Sequence, residues 1–188
     1  MRVLFATSEA GPFLRTGGLG DVSQALPYAM NKAGQDVRVI MPLYEGIGAD
    51  FRQTMQYVGN KIIFLGWRQQ YAGLFRCIYR GVTYYFVDNE YYFKRSAPYG
   101  HYDDGERFAF FSKAVLELIP LMDFGPEVIH CNDWQTGLIP VMLDAFFRGD
   151  STYGGIKTVL TIHNIEFQGN MDRICIQEVY GIPSAYES

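Results

Sequence analysis

Apolar residues occur along this chain in short unbroken runs, separated by stretches whose apolar positions repeat on a helical period. "RVLFAT" (2–7) and "DVRVIMP" (36–42) are continuous rather than alternating, the pattern of strands covered on both faces of a parallel sheet. Between them Val22, Ala25, Leu26, Ala29, Met30 and Ala33 share one helical face, with Asp21 placed to cap the helix start and Gly34 to stop its end. Pro27, inside that helix, removes a backbone hydrogen bond and predicts a kink. Residues 55–87 change character: "LFRCIYRGVTYYFVD" alternates and turns at Arg80-Gly81, which predicts a β-hairpin, an insertion or an edge. A helix over 105–122, a strand over 127–131, a helix over 134–147 and a strand over 157–163 follow.

Alternating strands and helices predict an α/β fold: a Rossmann-like parallel sheet with helices on both faces, right-handed crossovers and a β-hairpin insertion, all in one domain over 1–188. No clear strand follows residue 163, so the chain reads as cut short.

Composition narrows the function. The 188 residues are 48% apolar and 19% charged, enough for one sizeable core. A net charge of −4 with no cluster of Lys and Arg argues against nucleic acid or an anionic membrane as partner. Cys77, Cys131 and Cys175 are odd in number and outside any CxxC pattern, which disfavours a disulfide framework and a zinc site and fits a reducing cytosol. The opening run is too short for a signal peptide, and Lys113 and Glu117 interrupt the longest apolar region, so a soluble cytoplasmic protein is expected.

In an open α/β sheet, ligands bind beyond the carboxyl ends of the strands. Three polar stretches fall at such ends: "TGGLGD" after the first strand, "NDWQTG" after 127–131, and "HNIEFQG" after 157–163. The first does not match GxGxxG and lacks the Gly-Lys-Ser/Thr of a phosphate loop; Glu45 lies too far past the second strand to hold a ribose. These departures disfavour a nicotinamide-dependent oxidoreductase. What remains is either a plain turn or a loop that lets a ligand approach the backbone beside Arg15.

"TSEAGPFLRTGGLGDVSQALP", "ERFAFFSKAVLE", "IHCNDWQTGLIPVML" and "LTIHNIEFQG" together resemble the bacterial glycogen synthase and plant starch synthase family, in its order and spacing over essentially the whole chain. The resemblance implies the N-terminal half of a GT-B fold, two Rossmann-like domains facing across a cleft, and retaining transfer of glucose from an ADP-glucose donor to the nonreducing end of an α-1,4-glucan acceptor. It implies no cofactor and no metal, consistent with a sequence that contains no Asp-x-Asp. The partner it requires is the C-terminal nucleotide-binding domain, absent from this chain, so the isolated chain is expected to be inactive.

Residue by residue, the resemblance puts Arg15 where the family has a lysine contacting the nucleotide sugar; arginine keeps the charge but is longer, planar and forked. Gly17 and Gly18 would admit the donor against the main chain. Asp21 would touch the sugar in addition to, or instead of, capping the helix. His163 would hydrogen-bond the glucosyl unit, with Asn164 and Gln168 along the same wall. Asp133 would meet sugar or acceptor, Gln135 replaces the family's histidine, Trp134 is expected to pack, and Tyr99 would line the cleft. "YDDGE" (102–106) is expected to be a solvated acidic loop. A non-catalytic carbohydrate or nucleotide-sugar binding module remains the alternative.

Overall fold

A computed structural model describes residues 1–186 of the chain. Its seven strands are β1 (Arg2–Ala6), β2 (Asp36–Pro42), β3 (Gln56–Leu65), β4 (Arg68–Tyr79), β5 (Val82–Asp88), β6 (Val128–Asn132) and β7 (Lys157–Thr161). They form one sheet in the order β3-β4-β5-β2-β1-β6-β7. The neighbours from β5 to β7 are all parallel, whereas β3–β4 and β4–β5 are antiparallel. The predicted hairpin is present as the antiparallel β4–β5 pair, but β5 also pairs parallel with β2 and so belongs to the core, which leaves β3 and β4 as the antiparallel edge. Its turn falls where expected. Arg80 (φ 49°) and Gly81 (φ 79°) are both left-handed, the two-residue geometry that matches strand twist.

Helix α1 (Gly18–Lys32) joins β1 to β2, and α4 (Asp104–Leu118) lies in the long connection from β5 to β6. The two crossovers run in opposite directions from the middle of the sheet, and right-handed connections then place their helices on opposite faces. Leu4, Phe5, Ile40, Phe86 and Ile129 are fully buried between them. The shorter elements include α2 (Ala49–Thr54), α3 (Glu90–Phe93), α5 (Leu138–Met142), α6 (Cys175–Glu178) and a π turn at Leu143–Phe147. The last corrects the single helix expected over 134–147, which divides into a 3-10 turn (Trp134–Thr136), α5 and the π turn. Pro140 has no N–H to give the Thr136 carbonyl, which interrupts a continuous ladder.

Two expectations for α1 also change. Its buried centre is Gly20, Ser23 and Pro27, with Val22, Leu26 and Met30 half-buried and Ala25, Ala29 and Ala33 exposed, so the packed stripe is rotated from the predicted one. Asp21 is no cap: it lies in the first turn, and the helix starts at Gly18 after an extended Gly17. The far end is as predicted, with Gly34 in the left-handed region (φ 83°) just past the last turn.

The "YDDGE" segment is locked rather than solvated. Asp103 takes both terminal guanidinium nitrogens of Arg95 (3.1 and 2.8 Å). Asp104 accepts from the Gly100 N–H (2.8 Å) and from Arg107, whose side chain is wholly buried. Arg107 also donates to the carbonyls of Tyr92 (2.7 Å) and Pro98 (3.2 Å), so one buried cation holds both ends of the loop that carries Tyr99. Arg107→Met strands the Asp104 carboxylate and should cost about 3–5 kcal/mol. At roughly 2–4 °C per kcal/mol for a chain of this size, the melting temperature should fall by about 6–20 °C in calorimetry; an unchanged melting point refutes this role.

Candidate functional site

The sheet winds one way from β1 to β2 and the other way from β1 to β6, so a topological switch point lies between β1 and β6. The loops after β1, β6 and β7 leave the same rim of three adjacent parallel strands. The three sequence stretches singled out above therefore arise side by side.

Asn132, fully buried at the end of β6, ties them together. Its Nδ2 donates to the Ala6 carbonyl at the end of β1 (3.0 Å) and to the His130 carbonyl (3.0 Å). Its Oδ1 lies 3.0 Å from His163 Nε2, in the loop after β7. An amide oxygen can only accept, so Nε2 carries the proton, and a neutral ring then offers Nδ1 as an acceptor. The backbone N–H of His163 donates to Asp133 Oδ1 at 2.7 Å. Asp133 and His163 are thus brought together directly.

Asp133 has φ 58° and ψ −179°, a conformation that disfavours any side chain. Surrounding bonds hold it there: its N–H donates to the Thr161 carbonyl (2.9 Å), and its own carbonyl accepts from the Thr136 N–H and hydroxyl (both 3.2 Å). Strain that is this firmly bracketed aims the carboxylate into the rim.

Tyr99 reaches the same place from the loop before α4. Its hydroxyl bonds Ser8 Oγ at 2.8 Å. Burial raises the Tyr99 hydroxyl far above its ordinary pKa, with the Glu9 and Asp133 carboxylates contributing. Glu9, nearly fully buried, has no precedent in the sequence reading. Its Oε2 accepts from the Thr16 N–H (2.9 Å) and hydroxyl (2.5 Å), and its Oε1 accepts from the Gly20 N–H (3.0 Å). It performs the capping expected of Asp21, from nine residues before the helix, a distance at which no local capping pattern operates. Asn132 and Ser8 were missed because their partners are distant in sequence: the end of β1 and the loop after β7 for Asn132, the loop before α4 for Ser8.

Arg15 and Asp21 pair with each other at 2.7 Å and are largely exposed. Gly17 and Gly18 face open space, and a methyl group on either would meet nothing within 4 Å, whereas one at Gly20 would press on the Arg15 backbone, 3.1 Å away. Asn164 and Gln168 serve their own loop: Asn164 Oδ1 accepts from the Glu166 N–H (2.9 Å) and Gln168 donates to the Ile165 carbonyl (3.1 Å).

A hollow of about 500 Å³ opens beside this cluster, lined by Phe108, Asp133, Trp134, Gln135, Ile162 and Gln168 among others, but not by Arg15 or His163. Trp134 packs edge-on to Phe108 (5.2 Å), as expected, with Gly169 (φ 60°) tucked beneath its ring where a side chain would collide. The Oε1 of Gln135 is buried without a partner. Among the described residues, no group of three or more His, Cys, Asp or Glu side chains is placed to hold a metal ion, and no helix is long and apolar enough to cross a membrane.

The family described as starch synthase catalytic domain matches residues 2–188. A glycogen synthase from Anoxybacillus flavithermus is 50% identical over 188 residues, covering 100% of this chain and 39% of that protein. One from Clostridium botulinum strain Eklund 17B is 52% identical over 182 residues, covering 96% and 38%. Among solved structures, the catalytic domain of starch synthase IV from Arabidopsis thaliana, bound to ADP and acarbose, superposes with a TM-score of 0.87 at 26% identity, covering 97% of this chain and 37% of that one. The chain spans about two fifths of the length of these relatives.

Two outcomes test the geometry. Asp133→Gly and Asp133→Ala both lose the bond to His163, but glycine adopts φ 58° freely, so the glycine variant should be the more stable by about 1 kcal/mol or more in urea unfolding. Equal stabilities would show that position 133 is unstrained. Burial, with His163 nearby, pushes the His130 imidazole below its ordinary value. The unfolded chain then binds more protons, so stability should rise with pH through the interval up to about 6.5 and be lost below it. Replacing His130 with Gln should flatten that part of the melting-temperature profile; an identical slope would exclude His130 as its source.

Proposed function

The chain belongs to the starch synthase catalytic domain family, and from that premise we propose that it forms one wall of a glycosyltransferase cleft. The reaction is retaining transfer of glucose from ADP-glucose to the nonreducing end of an α-1,4-glucan, in the cytoplasm. The single observation that supports it best is the meeting of Asp133 and His163 beside the glycine loop, at the switch point where open α/β sheets take ligands.

The roles follow from the chemistry of each group. His163, with Nε2–H committed to Asn132, presents Nδ1 to accept from a glucosyl hydroxyl, while the Asp133 carboxylate accepts from a second hydroxyl of sugar or acceptor. Gly17 and Gly18 leave room for a donor to lie against the start of α1, where the first-turn N–H groups that Glu9 does not take favour a diphosphate. Arg15 holds only an exposed carboxylate, a weak pair that a diphosphate can displace. Tyr99, Asn164 and Gln168 border the same wall, and Asp21 is released to the sugar when Arg15 turns to the donor.

The opposite wall, and most cations for the leaving ADP, we assign to a C-terminal domain outside this chain, which covers only 39% of the Anoxybacillus flavithermus relative. A preorganised electrostatic site needs both walls before charge develops, so half a cleft loses most of the rate.

Radiolabelled ADP-glucose and glycogen test this directly. The 188-residue chain should bind ADP-glucose saturably in calorimetry but incorporate no label into glycogen. His163→Ala should weaken donor binding about tenfold, the loss of one ligand hydrogen bond, with an unchanged circular dichroism spectrum. Equal donor affinity in wild type and variant removes His163 from the site, and efficient incorporation by this chain alone overturns the two-wall account.

A further inference from the structure

We propose that the outer face of the β3–β4 hairpin is a second carbohydrate site, which holds the body of an α-glucan chain apart from the rim loops. Strand β3 is antiparallel to β4, β4 to β5, and β5 runs with β2 and β1, so β3 points the same way as β1. The Gly66-Trp67 turn that follows β3 therefore stands on the same rim as the loops after β1, β6 and β7. It lies four strand spacings from β1 in the sheet, about 19 Å at ~4.8 Å each.

The hairpin's register sets Ile62 opposite Tyr71, Phe64 opposite Gln69, and Tyr57 opposite Phe75. Its inner face, with Ile63, Leu65, Ala72 and Leu74 fully buried, turns toward α4. The outer face is uncovered: Phe64 is 53% exposed, Tyr57 53% and Trp67 at the rim end 78%. Single exposed apolar residues need no explanation, but a contiguous strip of this kind marks a binding surface.

Its chemistry selects the ligand. No outward position on the strip carries a charge. Lys61 turns inward to Glu117 (3.7 Å), and Arg68 folds back onto Glu106 (2.9 Å) with its guanidinium 4.5 Å from the centre of the Trp67 ring. That stacking, with Gly66 lying against the backbone of Val179, holds the indole in place. Between the rings stand hydrogen-bonding groups: the amide of Asn60, which donates to the Tyr57 hydroxyl, the exposed amide of Gln69, and the hydroxyl of Tyr71. Flat apolar rings interleaved with neutral donors and acceptors suit an uncharged, hydroxyl-rich polymer, whose sugar rings have apolar faces and polar edges. An anionic polymer would meet there only Arg68, whose charge is already paired with Glu106. A purely apolar partner would leave the amides unpaired.

That the polymer is an α-1,4-glucan rests on the transferase reading; that it is neutral and hydroxyl-rich rests on the hairpin alone. A chain anchored along the strip and passing over Trp67 would keep its ends near the cleft, raising their effective concentration without new contacts at the reacting sugar.

Native electrophoresis of the 188-residue chain through gels containing glycogen is the test, with matched gels of a soluble β-1,4-glucan and fluorescence titration with maltoheptaose. Glycogen should retard the wild type and quench Trp67. The double variant Trp67→Ala/Tyr71→Ala, on an exposed face and checked for folding by circular dichroism, should bind about tenfold more weakly, while Lys32→Ala, at the exposed end of α1, keeps full retardation. No retardation of the folded wild type, or loss in Lys32→Ala with none in the hairpin variant, overturns the site. Equal retardation by the β-glucan overturns the α-1,4 assignment. Sedimentation showing that the hairpin substitutions abolish a dimer and leave glycogen binding unchanged would make the face a contact between copies. Retention of glycogen binding by a chain that fails to bind ADP-glucose would refute the donor-site reading and leave the hairpin site standing.

Discussion

A parallel sheet whose winding reverses leaves a crevice beyond the carboxyl ends of the two strands where the reversal happens, because the connections of the two halves leave for opposite faces. Here the crevice lies past the paired ends of β1 and β6, and the buried Asn132 amide spans those ends. That amide uses both its donor hydrogens and its acceptor oxygen on three separate segments: the end of β1, the backbone of β6 and the imidazole after β7. Everything at the rim depends on this arrangement, since it sets both the position of His163 and the nitrogen that bears its proton.

The strained backbone at Asp133 belongs to the same construction. A left-handed conformation at a non-glycine residue persists only where neighbouring bonds leave no alternative, and here β7 and Thr136 supply them. Glu9 does the corresponding work on the other side of the crevice, closing the glycine loop onto the first turn of α1 and occupying one of the N–H groups that would otherwise face a ligand. The buried Arg107 then carries order outward, from α4 to the loop that delivers Tyr99 to Ser8. The rim is thus a set of loops each fixed by a polar side chain buried on another element.

The β3–β4 hairpin follows a different logic. Its inner face is part of the core, but its outer face is laid out in rings and amides with the charged side chains turned away. The two regions share the rim at Trp67, so the antiparallel edge, which closes nothing in the sheet, extends the surface available to a long ligand.

Local pattern was enough to read much of this protein. Continuous apolar runs marked the parallel strands because burial on both faces leaves no alternation, and the Arg80-Gly81 turn was visible because its twist demands left-handed residues. The three polar stretches, each just past a strand, were legible as neighbours because parallel strands release their loops at one rim. Local pattern could not reveal Asn132 as the bridge, since its partners arrive only when strands distant in sequence align. Nor could it reveal Glu9 as the cap of α1 or the inward turn of Asp103 and Asp104, whose partners are close in sequence but reach them only through the path of irregular loops. The same cause misled the reading of α1: helical periodicity identifies an apolar stripe, but the sheet beneath decides which part of it is buried. Covalent order sets what each segment prefers; the packed sheet decides which polar groups can find one another, because a buried polar group must take whichever partner the fold provides.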